Sequence, residues 1–346
     1  MVLMEVRILC MLQNCTNMEK IERSSNIELL RIIAMIMIVL YHCLTECITA
    51  NPNNRILLSA YYLSHWGVPV FLLISGYFSV KLSFKKVFNF WMYCAIWMLI
   101  SYLLSCTMGY HVIEVGTLIK CMLPFSNTNL WFVPFYFWLM LLSPMLNAGV
   151  KNLNTKELGI YTIVLLSATL YFSLVWKSPI VDAGHSIVYF ITLYMTGAFL
   201  KRINGFYRLN FRRLAMGVFT MLLIVTMLTL IIPLSYQKLL KGLVFFYVSP
   251  ILLLCAVIIF MLFLQINIKS RFVNNIAGSS FAIYLFHENG WSHAFFYGIV
   301  GKIINDFSGL EQFGLLLLFI LGLCIAIIMV DKAIREPITK LVNKLC

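Results

Sequence analysis

Apolar residues in this chain do not alternate with polar ones. They run in blocks of about twenty, separated by short polar stretches in which lysine and arginine collect. A block of that length crosses a bilayer as a helix, the form that satisfies its own backbone polar groups. Ten such blocks fall at roughly 27–48, 56–80, 87–108, 129–149, 158–176, 186–203, 212–234, 243–265, 272–298 and 311–332. The pattern predicts an all-α, polytopic integral membrane helical bundle of about ten transmembrane helices. The fourth block holds Pro134 and Pro144, so a kinked or partly re-entrant helix is expected there. The ninth holds Gly278, Gly290 and several polar residues and is the least lipid-like. No repeat, linker or low-complexity segment divides the chain, and residues 1–346 read as one transmembrane domain with short loops.

Composition sharpens this reading. Of 346 residues, 62% are hydrophobic and 11% charged, against roughly a quarter charged in an average soluble protein. An ordinary water-soluble globule and a disordered chain are both excluded. The net charge of +13 would point to nucleic acid on a soluble protein. Its distribution says otherwise. With the N-terminus cytoplasmic, twenty of the 26 basic residues fall on the cytoplasmic side and six outside. The positive-inside rule then places both termini in the cytoplasm of a multi-pass protein of the inner (plasma) membrane. Anionic lipid, not nucleic acid, is the expected partner of these charges. The ten cysteines are scattered without a C-x-x-C pair, so neither a metal nor a redox site is expected. Residues 1–17 lack a signal-peptide pattern, and Met18 opens MEKIERSSNIELLRI, so 1–17 are expected to be an upstream extension of the native start.

Ionisable residues inside spans are costly and so become functional candidates. The first block, NIELLRIIAMIMIVLYHCLTE, holds Arg31, His42 and Glu46. Eleven residues separate Arg31 from His42, about 16 Å and close to three helical turns, so the two share a side. Glu46, four residues beyond His42, shares it too, and its carboxylate is expected to hold the imidazole in one tautomer. Taken singly, Arg31 also reads as a snorkelling interface residue, and His42 as a helix–helix hydrogen-bond partner. Lys85 and Lys86 flank the third block and read as ordinary positive-inside residues or as anchors for an anionic cofactor. Trp131 fits an aromatic belt. His287, Glu288 and Asn289 interrupt an apolar run in FAIYLFHENG and either line a cavity or join helices.

These residues meet a family pattern. Arg31-x10-His42 within IELLRIIAMIMIVLYH resembles the hallmark of the membrane-bound acyltransferase family 3. VPVFLLISGYF, LWFVPFYFWLMLLSPMLN, the KRINGF turn after LYMTGAFL, and YLFHEN are similar to its later blocks and occur in the same order. The resemblance implies a ten-span bundle and transfer of an acyl group, most commonly acetyl, from acyl-CoA to a hydroxyl of a cell-envelope glycan. It makes His42 the essential histidine and Arg31 the essential arginine, with Glu28 at the acidic position before it. Many members are arginine-rich after the second span. This chain has Lys85 and Lys86 there, which neutralise phosphate as point charges without a bidentate fork.

The expected catalytic set is therefore His42 as general base, Arg31 and Glu46. Arg31, Lys85 and Lys86 would hold the donor, and Glu28, Trp131, His287, Glu288 and Asn289 the substrate. Acetyl-CoA is expected as donor substrate, with no permanently bound cofactor and no metal. A glycan or lipid-linked sugar is expected as acceptor. An acyl-histidine intermediate is the alternative route. The main rival is a transporter or flippase of a lipid-linked or small polar substrate, which also places polar residues at mid-membrane. A glycan polymerase and a non-catalytic sensor are further rivals. The short loops count against the first, and the second would tolerate His42→Gln.

Overall fold

The computed structural model describes residues 24–345, except 127–128, 176–178, 180, 205–209 and 237–247. The proposed upstream extension and part of the KRINGF turn lie outside the described residues. Every regular element among them is helical. In chain order these are α1 (Ser25–Ala50), α2 (Arg55–Leu63), α3 (Gly67–Phe78), α4 (Phe84–Thr107), α5 (Val115–Cys121), α6 (Phe132–Asn152), α7 (Thr155–Leu174), α8 (Ile187–Asn204) and α9 (Phe211–Ile231). They continue with α10 (Pro250–Leu264), α11 (Arg271–Ala277), α12 (Ser280–His287), α13 (His293–Asp306) and α14 (Gly309–Val330). A π-helical turn, Asp331–Arg335, then leads into α15 (Glu336–Leu345).

Among the described residues, seven helical stretches are long and apolar enough to cross a membrane, and Pro250–Leu264 is a shorter apolar helix. The second block counts as one of the seven, Arg55–Phe78, although it is interrupted at Ser64–Trp66, where the Ser64 hydroxyl donates to Tyr61 O at 2.6 Å. Pro69 follows within the first turn of α3, where its missing N–H costs least. The ninth block is not one helix but three. Between α12 and α13 the Ser292 hydroxyl bonds the carbonyls of Phe286 and Asn289, and the Asn289 side chain accepts from Trp291 N. Such local side-chain bonds compete with the helical ladder. The fourth block does the reverse of the expectation and runs unbroken through Pro144. A proline deprives the carbonyl four residues back of its partner, here Met140 O. The Ser143 hydroxyl takes it over at 2.7 Å.

Helix α1 is the hub, in contact with α2, α3, α10, α11, α12, α13 and α14. Its N-terminus is tied to the α10–α11 connection: Asn26 Nδ2 donates to Phe263 O at 2.7 Å, and Ser25 Oγ accepts from Ser270 N at 2.9 Å. The most extensive helix–helix contact is α3 on α8. There Gly76 faces the backbone of Tyr194 and Gly197 faces that of Leu73 and Tyr77, so a Cβ at either glycine would run into main chain. Small residues are how helices approach this closely within a bilayer. The π turn is anchored from inside the bundle. Asp331 is fully buried and accepts from Trp97 Nε1 of α4 at 2.8 Å and from Arg335 Nε at 2.9 Å. The Arg335 guanidinium in turn lies 4.2 Å from the Tyr93 ring centre.

Candidate functional site

Two recesses run along α1, and residues three to four apart on one helix face connect them. The first lies beside Arg31 and is lined further by Ser75, Tyr93 and Ser280, with about 760 Å³ of space. The second is a narrow crevice lined by Met35, Ile38, His42, Val68, Trp131 and Tyr284. Phe71, Phe132 and Phe281 line both. The two recesses therefore adjoin between the guanidinium of Arg31 and the imidazole of His42, walled by α1, α3, α6 and α12. Hydrogen bonds hold those walls: Phe132 N donates to the Tyr284 hydroxyl at 3.1 Å, and Ala282 N to the Tyr93 hydroxyl at 3.1 Å.

Beside the second recess His42 meets the late block. Its Nδ1 lies 3.0 Å from Oε1 of Glu288, and the same oxygen is 3.8 Å from Nε2 of His287. The two imidazole rings are 5.2 Å apart, centre to centre. His287 is fully buried, and its Nδ1–H donates to Ile283 O at 2.7 Å, so Nε2 faces the carboxylate. A neighbouring cluster packs Tyr41, Tyr61 and His65, with His65 Nδ1–H donating to Tyr61 O at 2.8 Å.

The structure thus brings His42, His287 and Glu288 together and redistributes the expected roles. Glu46 makes no hydrogen bond or ion pair with His42; the carboxylate on the imidazole is that of Glu288. The i,i+4 argument put Glu46 on the right face but not within reach. Arg31 pairs with Glu28 at 2.9 Å, so the buried Glu28 orients the guanidinium at the mouth of the first recess. Lys85 and Lys86 stand exposed in the first turn of α4, with Lys86 one turn before Phe90 of the same recess. Trp131 lines the His42 recess, its ring 4.2 Å from that of His185 in the loop before α8. Burial holds the His185 imidazole below its ordinary pKa. Asn289 is buried at the start of the turn after Glu288. No sequence signal joined Glu288 to His42, because the two are brought together only by packing of α12 on α1.

The donor atoms of His42, His287 and Glu288 all lie within 4.8 Å of one another. Two imidazoles and a carboxylate are a donor set that zinc accepts. The same three groups also suit a general base with an orienting carboxylate. Residues 24–330 match a family model described as an acyltransferase domain, and the chain belongs to acyltransferase family 3. No curated protein and no solved structure matches the chain. Family and helices together define a multi-pass membrane acyltransferase.

Proposed function

We propose that the protein is an O-acyltransferase that moves an acyl group, acetyl before others, from acyl-CoA to a hydroxyl of a cell-envelope glycan. The observation that carries this reading is the His42–Glu288 pair, 3.0 Å apart, beside the inner of two adjoining recesses, the outer of which is lined by Arg31. Positive charge at that end, Arg31 with Lys85 and Lys86, suits the phosphates of CoA. It also agrees with a cytoplasmic donor and cytoplasmic termini. The pantetheine arm would run along the rings of Phe71, Phe132 and Phe281 that the two recesses share.

The chemistry follows from the pair. An ionised Glu288 favours the tautomer of His42 that carries hydrogen on Nδ1, which leaves the Nε2 lone pair as the base. The acceptor O–H gives its proton to Nε2 as its oxygen bonds the thioester carbonyl carbon. The C–S bond then breaks, and the leaving thiolate takes the proton from the imidazolium to depart as CoA thiol. Glu288 stabilises the imidazolium in between.

The test is transfer of label from acetyl-CoA to envelope glycans by membranes carrying wild type or His42→Ala at matched protein levels. Label that disappears with His42 is the expected result. Equal label from both would return His42 to a packing role. One observation favours a second reading. The helix broken around Glu288 is the form transporters use at their binding sites. A transporter would move substrate without acyl-CoA and would be indifferent to His42→Ala.

A further inference from the structure

The donor recesses leave a further, more polar recess unused. It is lined among others by His111, Lys120, Ser126, Asn129, Asn289 and Trp291. It lies along α4, whose Met98 lines it; His111 is held by Ser105 late in α4, and the chain then returns beside the helix, where Trp91 Nε1 donates to Met122 O at 3.0 Å.

Three features mark this recess as built for a ligand. Asn289 is fully buried; its Oδ1 accepts from Trp291 N at 3.2 Å, but its Nδ2 has no hydrogen-bond partner. A buried amide with unused donors is costly, and ligand hydroxyls would relieve it. Trp291 packs 5.4 Å from Tyr102, centre to centre, and brings an aromatic surface into a polar lining. That combination matches a pyranose, which has an apolar ring face and a rim of hydroxyls. Lys120 is exposed, has no ion-pair partner among the described residues, and enters the recess beside His111. Asn289 directly follows Glu288, so a sugar held here lies one residue along the chain from the carboxylate that touches His42.

We propose that this recess is the acceptor site and that it takes an anionic saccharide, with Trp291 against the ring, Asn289 on a hydroxyl and Lys120 on the acidic substituent. This rests on the acyltransferase reading. It adds the place of the acceptor and its charge.

The experiment uses membranes containing the full chain, labelled acetyl-CoA, and the host's own envelope glycans separated into acidic and neutral fractions by anion exchange. Wild type, His42→Ala, Lys120→Glu, Lys120→Arg and Trp291→Ala are compared. Label is expected in the acidic fraction. Lys120→Glu and Trp291→Ala should lower it about tenfold or more, and Lys120→Arg should recover it to within about threefold of wild type. Binding of labelled acetyl-CoA to the purified variants should stay within about twofold of wild type, which also reports that they fold. Because Lys120 is exposed, its two variants decide the matter even if Trp291→Ala folds poorly. His42-dependent label that is unaffected by Lys120→Glu, or that runs only with neutral glycans, overturns the acceptor assignment alone. Label that does not depend on His42, or none at all, overturns the acyltransferase reading and this inference with it.

Discussion

Replacing Glu288 by glutamine tests the heart of the proposed chemistry. The substitution keeps the shape of the side chain and removes its charge, next to an imidazole whose Nδ1 is 3.0 Å away. When His42 takes the acceptor proton it becomes cationic. At that separation a carboxylate would favour the cation by about 5 kcal/mol at an effective dielectric constant of about 20. The glutamine dipole retains part of this, so a loss of about 2–3 kcal/mol is expected in the transition state. That corresponds to roughly a 30- to 150-fold lower rate of transfer. The assay is the initial rate of glycan labelling at saturating acetyl-CoA, normalised to folded protein. Glu46→Gln is the matched comparison, because Glu46 shares a helix face with His42 but makes no hydrogen bond or ion pair with it, and it should change the rate by less than about threefold. The packing of the variant is not at issue, since removing a charge from a buried carboxylate carries no added desolvation cost. A Glu288→Gln enzyme at the wild-type rate, or a larger loss from Glu46→Gln, would refute the assignment of Glu288 as the partner of the base.

Three further outcomes follow from the same geometry. Arg31→Lys loses the planar fork that Glu28 orients and should raise the KM for acetyl-CoA about tenfold with a smaller effect on kcat; an unchanged KM would detach Arg31 from the donor. Gly197→Ala drives a methyl into the backbone of Leu73 and Tyr77, so a cost of about 1–3 kcal/mol should lower the yield of monodisperse protein in detergent; normal yield and melting would show that α3 and α8 can part without penalty. Prolonged dialysis against a strong chelator should leave transfer unchanged, whereas a loss reversed by added zinc would assign His42, His287 and Glu288 to a metal centre.

Much of the molecule is legible along the chain because its constraints are local. The length of an apolar run decides whether a helix can cross a bilayer, and α1, α4, α6, α7 and α9 fall where those runs do. The order of Arg31, His42 and the later blocks sufficed to indicate the family that residues 24–330 match. Hydropathy does not register where one run is two helices. The breaks at Ser64–Trp66 and Asn289–Ser292 arise from single side chains bonding the backbone. The intact passage through Pro144 depends in the same way on one serine hydroxyl. The site itself was half visible. Helical periodicity aligned Arg31 with His42, since both lie on α1, and it nominated Glu46 for the same reason. Periodicity describes one helix, and the partner of His42 lies on another. Only the packing of α12 across α1 decides that a carboxylate 246 positions away reaches the imidazole while the one four residues away does not. Side chains four apart on a helix stand above one another along its axis, whereas a group buried between helices is met from across the interface.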